Sequence, residues 1–286
     1  MQYVRCFDQK KTVDTGFPGY RAQFLSSLES ALMIASHIEE GGCGPGLHYH
    51  RSDQLYYLLV GTMNVQLGQQ VHRIEAGTFV FIPAGLAHRN WNDGPGSETH
   101  FEMIIPAPSP MVPIALMVET PDDVPVDDRT DDPGYTRRIH PDQLNPAMPG
   151  LRLLPLTGPA MGCSNAVVNY MELDPASAGP DTHIHEFDQY YLVLEGELTV
   201  EVALQKHVVP PRSLVLLPAG VPHRQYNDSS TTEKHLAVLA PPPQPGKPWD
   251  HGVDFHANGD DHIGPQTVFV SASDAAITSQ PRTRYR

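Results

Sequence analysis

Four side chains able to share a metal ion, His48, His50, Gln54 and His88, recur as His183, His185, Gln189 and His223, each 135 positions later. The register holds through Gly61/Gly196, Pro83/Pro218, Gly85/Gly220, Asn92/Asn227 and His100/His235, and 20 of 53 positions are identical between 48–100 and 183–235 without a gap. Such a repeat is a tandem duplication with a candidate metal site in each copy. Three neutral imidazoles and an amide oxygen suit a borderline divalent ion, one per copy, such as iron, nickel, cobalt, manganese or zinc. A single buried histidine is more simply explained by an ordinary hydrogen bond. Six in two identical patterns point to metal.

Strands must position these groups. Residues 55–60 (LYYLLV) and 190–194 (YYLVL) are short runs of β-formers ending at Gly61 and Gly196. TFVFIPAG and SLVLLPAG each read as a strand closed by a Pro-x-Gly turn, and residues 31–38 and 166–173 read as earlier strands. Residues two apart on a strand share a face, so His48 and His50 point the same way and Gln54 joins them after a turn. The Pro83–Gly85 turn returns His88 to the same point. Many short strands with regular turns indicate a closed or sandwiched antiparallel all-β fold.

A chain of 286 residues accommodates two domains. Its net charge of −14 argues against nucleic acid as a partner. No apolar run approaches the roughly 20 residues of a membrane span, and MQYVRCFDQKK lacks the apolar core of a secretory signal. Cys6, Cys43 and Cys163 do not correspond between the copies, so shared disulfides are not expected and a cytoplasmic location is. A homodimer stays open as the assembly. Residues 106–150 hold ten prolines, and 119–132 hold seven acidic residues against one arginine. The expected boundaries are an N-terminal barrel over 1–105, a Pro-rich acidic linker wrapping the surface over 106–150, a C-terminal barrel over 151–240 and a solvated tail over 241–286. The irregularly spaced tail histidines, at 251, 256 and 262, are not expected to bind metal.

G-x(5)-H-x-H-x(3)-Q-x(6)-G followed by G-x(5)-P-x-G-x(2)-H-x(3)-N resembles the two motifs of the cupin superfamily. Gly42, His48, His50, Gln54, Gly61, Gly77, Pro83, Gly85, His88 and Asn92 carry it here, and the second copy departs from it with Arg212 where a glycine stands in the motif. The resemblance implies a bicupin: two tandem double-stranded β-helix (jelly-roll) barrels, each holding a metal in its mouth. Glutamine stands where the usual ligand of that family is glutamate. This resembles the small set of bicupins that includes the bacilysin-pathway isomerase, while the rest of the pattern is similar to quercetinase-type dioxygenases. Oxalate decarboxylation fits less well, because a glutamate ligand and a nearby acid are usual there.

With neutral ligands alone a divalent site keeps a charge of +2, which favours a small anionic or chelating partner such as an enol, a flavonol-like compound or an α-keto acid. A base must then come from beyond the ligands. Glu102, His100 and Tyr56 are the candidate catalytic residues. His100 and Glu102 share a strand face, and Tyr56 follows Gln54 by two. Ala237 replaces Glu102 in the second copy, which instead offers Glu172 where the first has His37. On this basis the N-terminal site is expected to carry most of the catalysis. The leading activity is a non-haem dioxygenase using O2. The alternatives are an O2-independent isomerase or tautomerase of a keto acid, and a non-catalytic small-ligand-binding bicupin. Gln54→Glu and Gln189→Glu should each keep or tighten metal binding while weakening an anionic ligand, measured by titration calorimetry. Unchanged or better ligand affinity in both variants would show that the amide does not serve to preserve positive charge.

Overall fold

The strand Asp53–Val60 is buried over its first six residues on both faces, so its sequence is a continuous apolar run rather than an alternating one. Tyr56, Leu58, Met63, Val65, Ile74 and Val80 close one face into a common core. In the computed structural model the chain is described over residues 2–257 and 265–271, with side chains through 253. Two compact units are present, one comprising 7–143 and 156–166, the other 1–6, 144–155 and 167–286.

Each unit is a jelly roll of two antiparallel sheets. In the first, Asp53–Val60 lies between Thr78–Ile82 and Glu98–Ile105 in a seven-stranded sheet. The facing five-stranded sheet contains His48–Tyr49, His88–Trp91 and Thr62–Leu67. The second unit repeats this with Asp188–Glu195 between Ser213–Leu217 and Glu233–Ala240, and with His183–Ile184 beside His223–Tyr226. The backbone follows the repeat even where the sequence departs from it. Arg212 adopts φ of 62° where Gly77 has 87°, and the amides of both donate across the same turn, to Val193 and Leu58.

The units are drawn differently from the sequence boundaries. Val4–Cys6, expected in the N-terminal barrel, pairs with Ser213–Leu217 of the C-terminal unit. Its counterpart in the first unit is Tyr135–Arg138 from the expected linker, which pairs with Thr78–Ile82. The linker as far as residue 143 thus continues the first barrel's sheets, with Val124 buried against Tyr49 and Ala87, while Asn145–Met148 joins the second unit's sheet. The expected solvated tail also differs, because His251–Ala257 pairs with His183–Ile184. Sheet edges carry unpaired backbone groups, and added strands satisfy them. The His256 side chain and His262 lie outside the described residues.

These two segments also belong to the repeat. P-x-P-x-P-x-x-P occurs at 106–113 and at 241–248, 135 positions apart. Met117 pairs with His48 as Gly252 pairs with His183. The Pro-x-Gly turn separates the copies. Gly85 (φ 82°) and Gly220 (φ 74°) both donate to a ligand histidine's carbonyl, but a Cβ at Gly85 would lie 1.8 Å from the carbonyl oxygen of Asp128, whereas nothing lies within 4 Å at Gly220. Gly220→Ala should cost about 1–2 kcal/mol for the left-handed backbone alone, and Gly85→Ala at least about 1 kcal/mol more. Urea denaturation of the two variants checks this, and equal losses would mean that the 119–132 segment does not press on the turn.

Candidate metal centre

His48 and His88 are directly paired across antiparallel strands, as are His183 and His223, so the pleat points both members of each pair into the barrel. His50 follows His48 by two, and Gln54 enters from the opposing sheet. Ring centroids lie 4.3, 4.9 and 5.0 Å apart in the first triad and 4.5, 4.8 and 4.9 Å apart in the second. Within each triad one ligand atom per histidine lies within 4.8 Å of the others. All eight expected ligands are therefore brought together, four in each barrel.

The imidazoles are fixed by hydrogen bonds at Nδ1. His48, His88, His183 and His223 each meet the carbonyl two residues earlier, at Gly46, Leu86, Asp181 and Val221, at 2.7–2.8 Å. His50 meets the Ile114 carbonyl and His185 the Trp249 carbonyl. A carbonyl only accepts, so the proton sits on Nδ1 and the Nε2 lone pair faces inward. His50 Nε2, His88 Nε2 and Gln54 Oε1 are buried without a hydrogen-bond partner among the described residues. Gln189 Oε1 stands 3.0 Å from His185 Nε2 and 3.1 Å from His223 Nε2. These are acceptors facing acceptors, an arrangement that a cation converts from repulsive to favourable. The donor set fits a divalent transition ion.

Burial holds these rings neutral. His48 is lowered to about 4 by burial and by the neighbouring His50, and His185 to about 4 by burial and by His183. His88 and His223 are pushed well below the ordinary value for the same reasons.

Behind the ligands the copies differ. Gln54 Nε2 donates to Glu102 Oε1 at 2.6 Å, while Tyr20 and Ser36 each donate to Glu102 Oε2 at 3.2 Å. Glu102 therefore turns the amide so that its oxygen points at the triad. The expectation of an uncompensated +2 site is corrected for this barrel, because a carboxylate lies one hydrogen bond behind the glutamine. In the second barrel Ala237 leaves that place apolar, and Tyr191 donates to Gln189 Oε1 at 3.2 Å. There Asp250 Oδ1, at the position of Ala115, lies 3.3 Å from His185 Nδ1.

His100 lies deeper. It is fully buried, its Nδ1 is 3.0 Å from Glu98, its Nε2 is 4.0 Å from Glu102, and Tyr56 packs edge-on against it at 4.9 Å. Burial alone would depress His100, but the charge and hydrogen bond of Glu98 together with the Glu102 charge outweigh it and raise its pKa. His235, Glu233 and Tyr191 repeat the arrangement. Glu172 is not near the second site. It faces away from His235 and pairs with Arg152 at 3.2 Å, so it is dropped as a candidate base. Glu98/Glu233 are among the identical positions of the repeat and were legible there. Asp250, Trp249 and Ile114 carry no motif signal in the sequence, because the Pro-rich composition of their segments marks them only as linker and tail.

The cupin domain family matches residues 35–105 and 169–239. Among solved structures the fold is similar to a putative glyoxylate-induced protein from Pseudomonas aeruginosa, with 15% identity, a TM-score of 0.63 and coverage of 80% of this chain and 84% of that one. Oxalate decarboxylase from Bacillus subtilis gives 13%, 0.61, 85% and 77%. The coconut allergen cocosin gives 12%, 0.64, 84% and 86%. At these identities the likeness is one of fold alone. No curated protein matches.

Two equivalents of a divalent ion should bind per chain, falling to about one in His48→Ala and in His183→Ala by elemental mass spectrometry. In the metal-free protein the depressed histidines bind fewer protons than in the unfolded chain. Their stability contribution should therefore be present above about pH 6.5 and lost as the pH falls through about 4. Thermal melts between pH 7 and 4 should show a falling Tm, and a flat profile would contradict the burial of neutral rings.

Proposed function

This chain belongs to the cupin superfamily as a bicupin, and we propose that it is a metal-dependent enzyme, most specifically a non-haem dioxygenase acting on a small chelating oxygenated organic substrate. The observation that carries this reading is the pair of histidine triads with inward Nε2 atoms, each accompanied by a neutral amide oxygen. Nothing in the folding of a β-barrel requires three imidazoles to converge, and two barrels do it here. A divalent ion held there supplies a Lewis acid that polarises a chelating pair of oxygens. The protein's own part is orientation. Backbone carbonyls hold the six rings, Glu102 aims the Gln54 amide, and the buried tyrosines stay protonated because burial raises Tyr56 and Tyr191 well above the ordinary value.

A second reading, isomerisation of a keto acid without O2, is favoured by Asp250, a carboxylate on the wall of the C-terminal cavity. The iron(II)-loaded protein should consume O2 in proportion to substrate lost on an oxygen electrode, with enols and α-keto acids as candidates. Turnover that continues unchanged under argon would reject the dioxygenase and favour isomerisation.

A further inference from the structure

The C-terminal barrel holds a cavity of about 270 Å3 that opens onto His183, His185 and Gln189. Its walls are mostly apolar, with Leu153, Met171, Ala237 and Leu239 on the strands and Trp249 at the rim, 42% exposed. Two amides, Asn169 and Gln225, and the Asp250 carboxylate interrupt the apolar lining. The volume of about 270 Å3 falls just below the usual range of ligand cavities, roughly 300 to 1,000 Å3. That suits a single ring or a short branched chain.

The register of the repeat identifies what makes this space. Ala237 pairs with Tyr191 and with Asn169, as Glu102 pairs with Tyr56 and with Ile34. In the N-terminal barrel the same place is taken by the Glu102 carboxylate with the Tyr20 and Ser36 hydroxyls. The two hydroxyls lie 2.8 Å apart and each 3.2 Å from the carboxylate, which also accepts from Gln54. Met171 stands where Ser36 does, and it lines the cavity instead of joining a polar network. One copy has a polar plug behind its glutamine, and the other has an apolar chamber.

We infer that the two barrels have divided their labour: the C-terminal chamber takes the organic ligand, and the absent side chain at Ala237 is what admits it. The ligand class is a small α-keto acid or enol with an apolar body, its oxygens directed to the triad and its body against Met171, Ala237 and Leu239. This reverses the assignment suggested by Glu102 alone, because the carboxylate that could serve as a base also occupies the place that Ala237 leaves open in the other copy. The assignment rests on the proposed function for the class of ligand, but not for its place.

The chain holds only two tryptophans, so Trp91→Phe leaves Trp249 at the rim of the chamber as the sole indole reporter. In the full chain carrying this substitution and loaded with zinc(II), which has no redox chemistry, phenylpyruvate should change the Trp249 fluorescence saturably. Its Kd should be at least about tenfold below that of pyruvate, because the chamber buries the ring. Ala237→Leu, and Ala237→Val as the smaller change that a strand accepts readily, should each raise the phenylpyruvate Kd about tenfold or more while two zinc equivalents and the Tm are retained. Equal affinity for the two keto acids, no fluorescence change, or a folded Ala237→Val with unaltered Kd would each overturn the assignment. Binding of this kind without O2 uptake by the iron-loaded protein would reject the dioxygenase and leave the chamber in place. O2 uptake indifferent to Ala237→Val would do the reverse.

Discussion

Both candidate sites depend on the hydrogen bond from each imidazole Nδ1 to a backbone carbonyl. It selects the tautomer, fixes the ring plane and leaves an Nε2 lone pair facing inward, which is what a metal needs from a neutral histidine. Four of the six bonds are local, reaching back two residues, and form wherever the strand entry is built. The other two reach 64 residues along the chain, to Ile114 and Trp249. The third ring in each triad is therefore oriented only when the Pro-rich segment that follows the barrel core has docked as an extra strand. Prolines are tolerated there because they precede the paired residues, which begin at Leu116 and at His251.

The second constraint is charge. Neutral ligands leave the charge of a bound ion to be balanced from behind, and the copies do this differently. A carboxylate stands at Glu102 where the other copy has Ala237, and at Asp250 where the other has Ala115. Glu102 is buried, and its carboxyl oxygens accept from Gln54, Tyr20 and Ser36. Asp250 sits nearer solvent, with a side chain 19% exposed, beside an imidazole rather than behind the amide. Beneath each site a fully buried Glu–His pair, Glu98–His100 and Glu233–His235, is kept in both copies. Breaking one would strand a charge in the core, so the pair constrains how each barrel floor can vary.

The ligand set, the strands and the two barrels could be read from sequence because each is a periodic or repeated signal. Residues two apart share a strand face, and one offset of 135 carries every ligand from one copy to the next. That His100 and Glu102 share a face also followed from that period, but which face points inward did not. The proline repeat at 106–113 and 241–248 carried the same offset but was legible only as composition, and composition describes a segment's solubility rather than its pairing.

The sequence by itself determined which atoms could bind a metal, how many sites there are and the class of fold, since these follow from residue type, spacing and internal register. Only the tertiary structure decided which strands complete each barrel, that Val4–Cys6 serves the C-terminal unit and Tyr135–Arg138 the N-terminal one, and where the Glu102 carboxylate points. Those outcomes depend on satisfying sheet edges and buried polar groups with partners far along the chain. Such pairing leaves no local pattern, because any strand with free backbone groups can meet it.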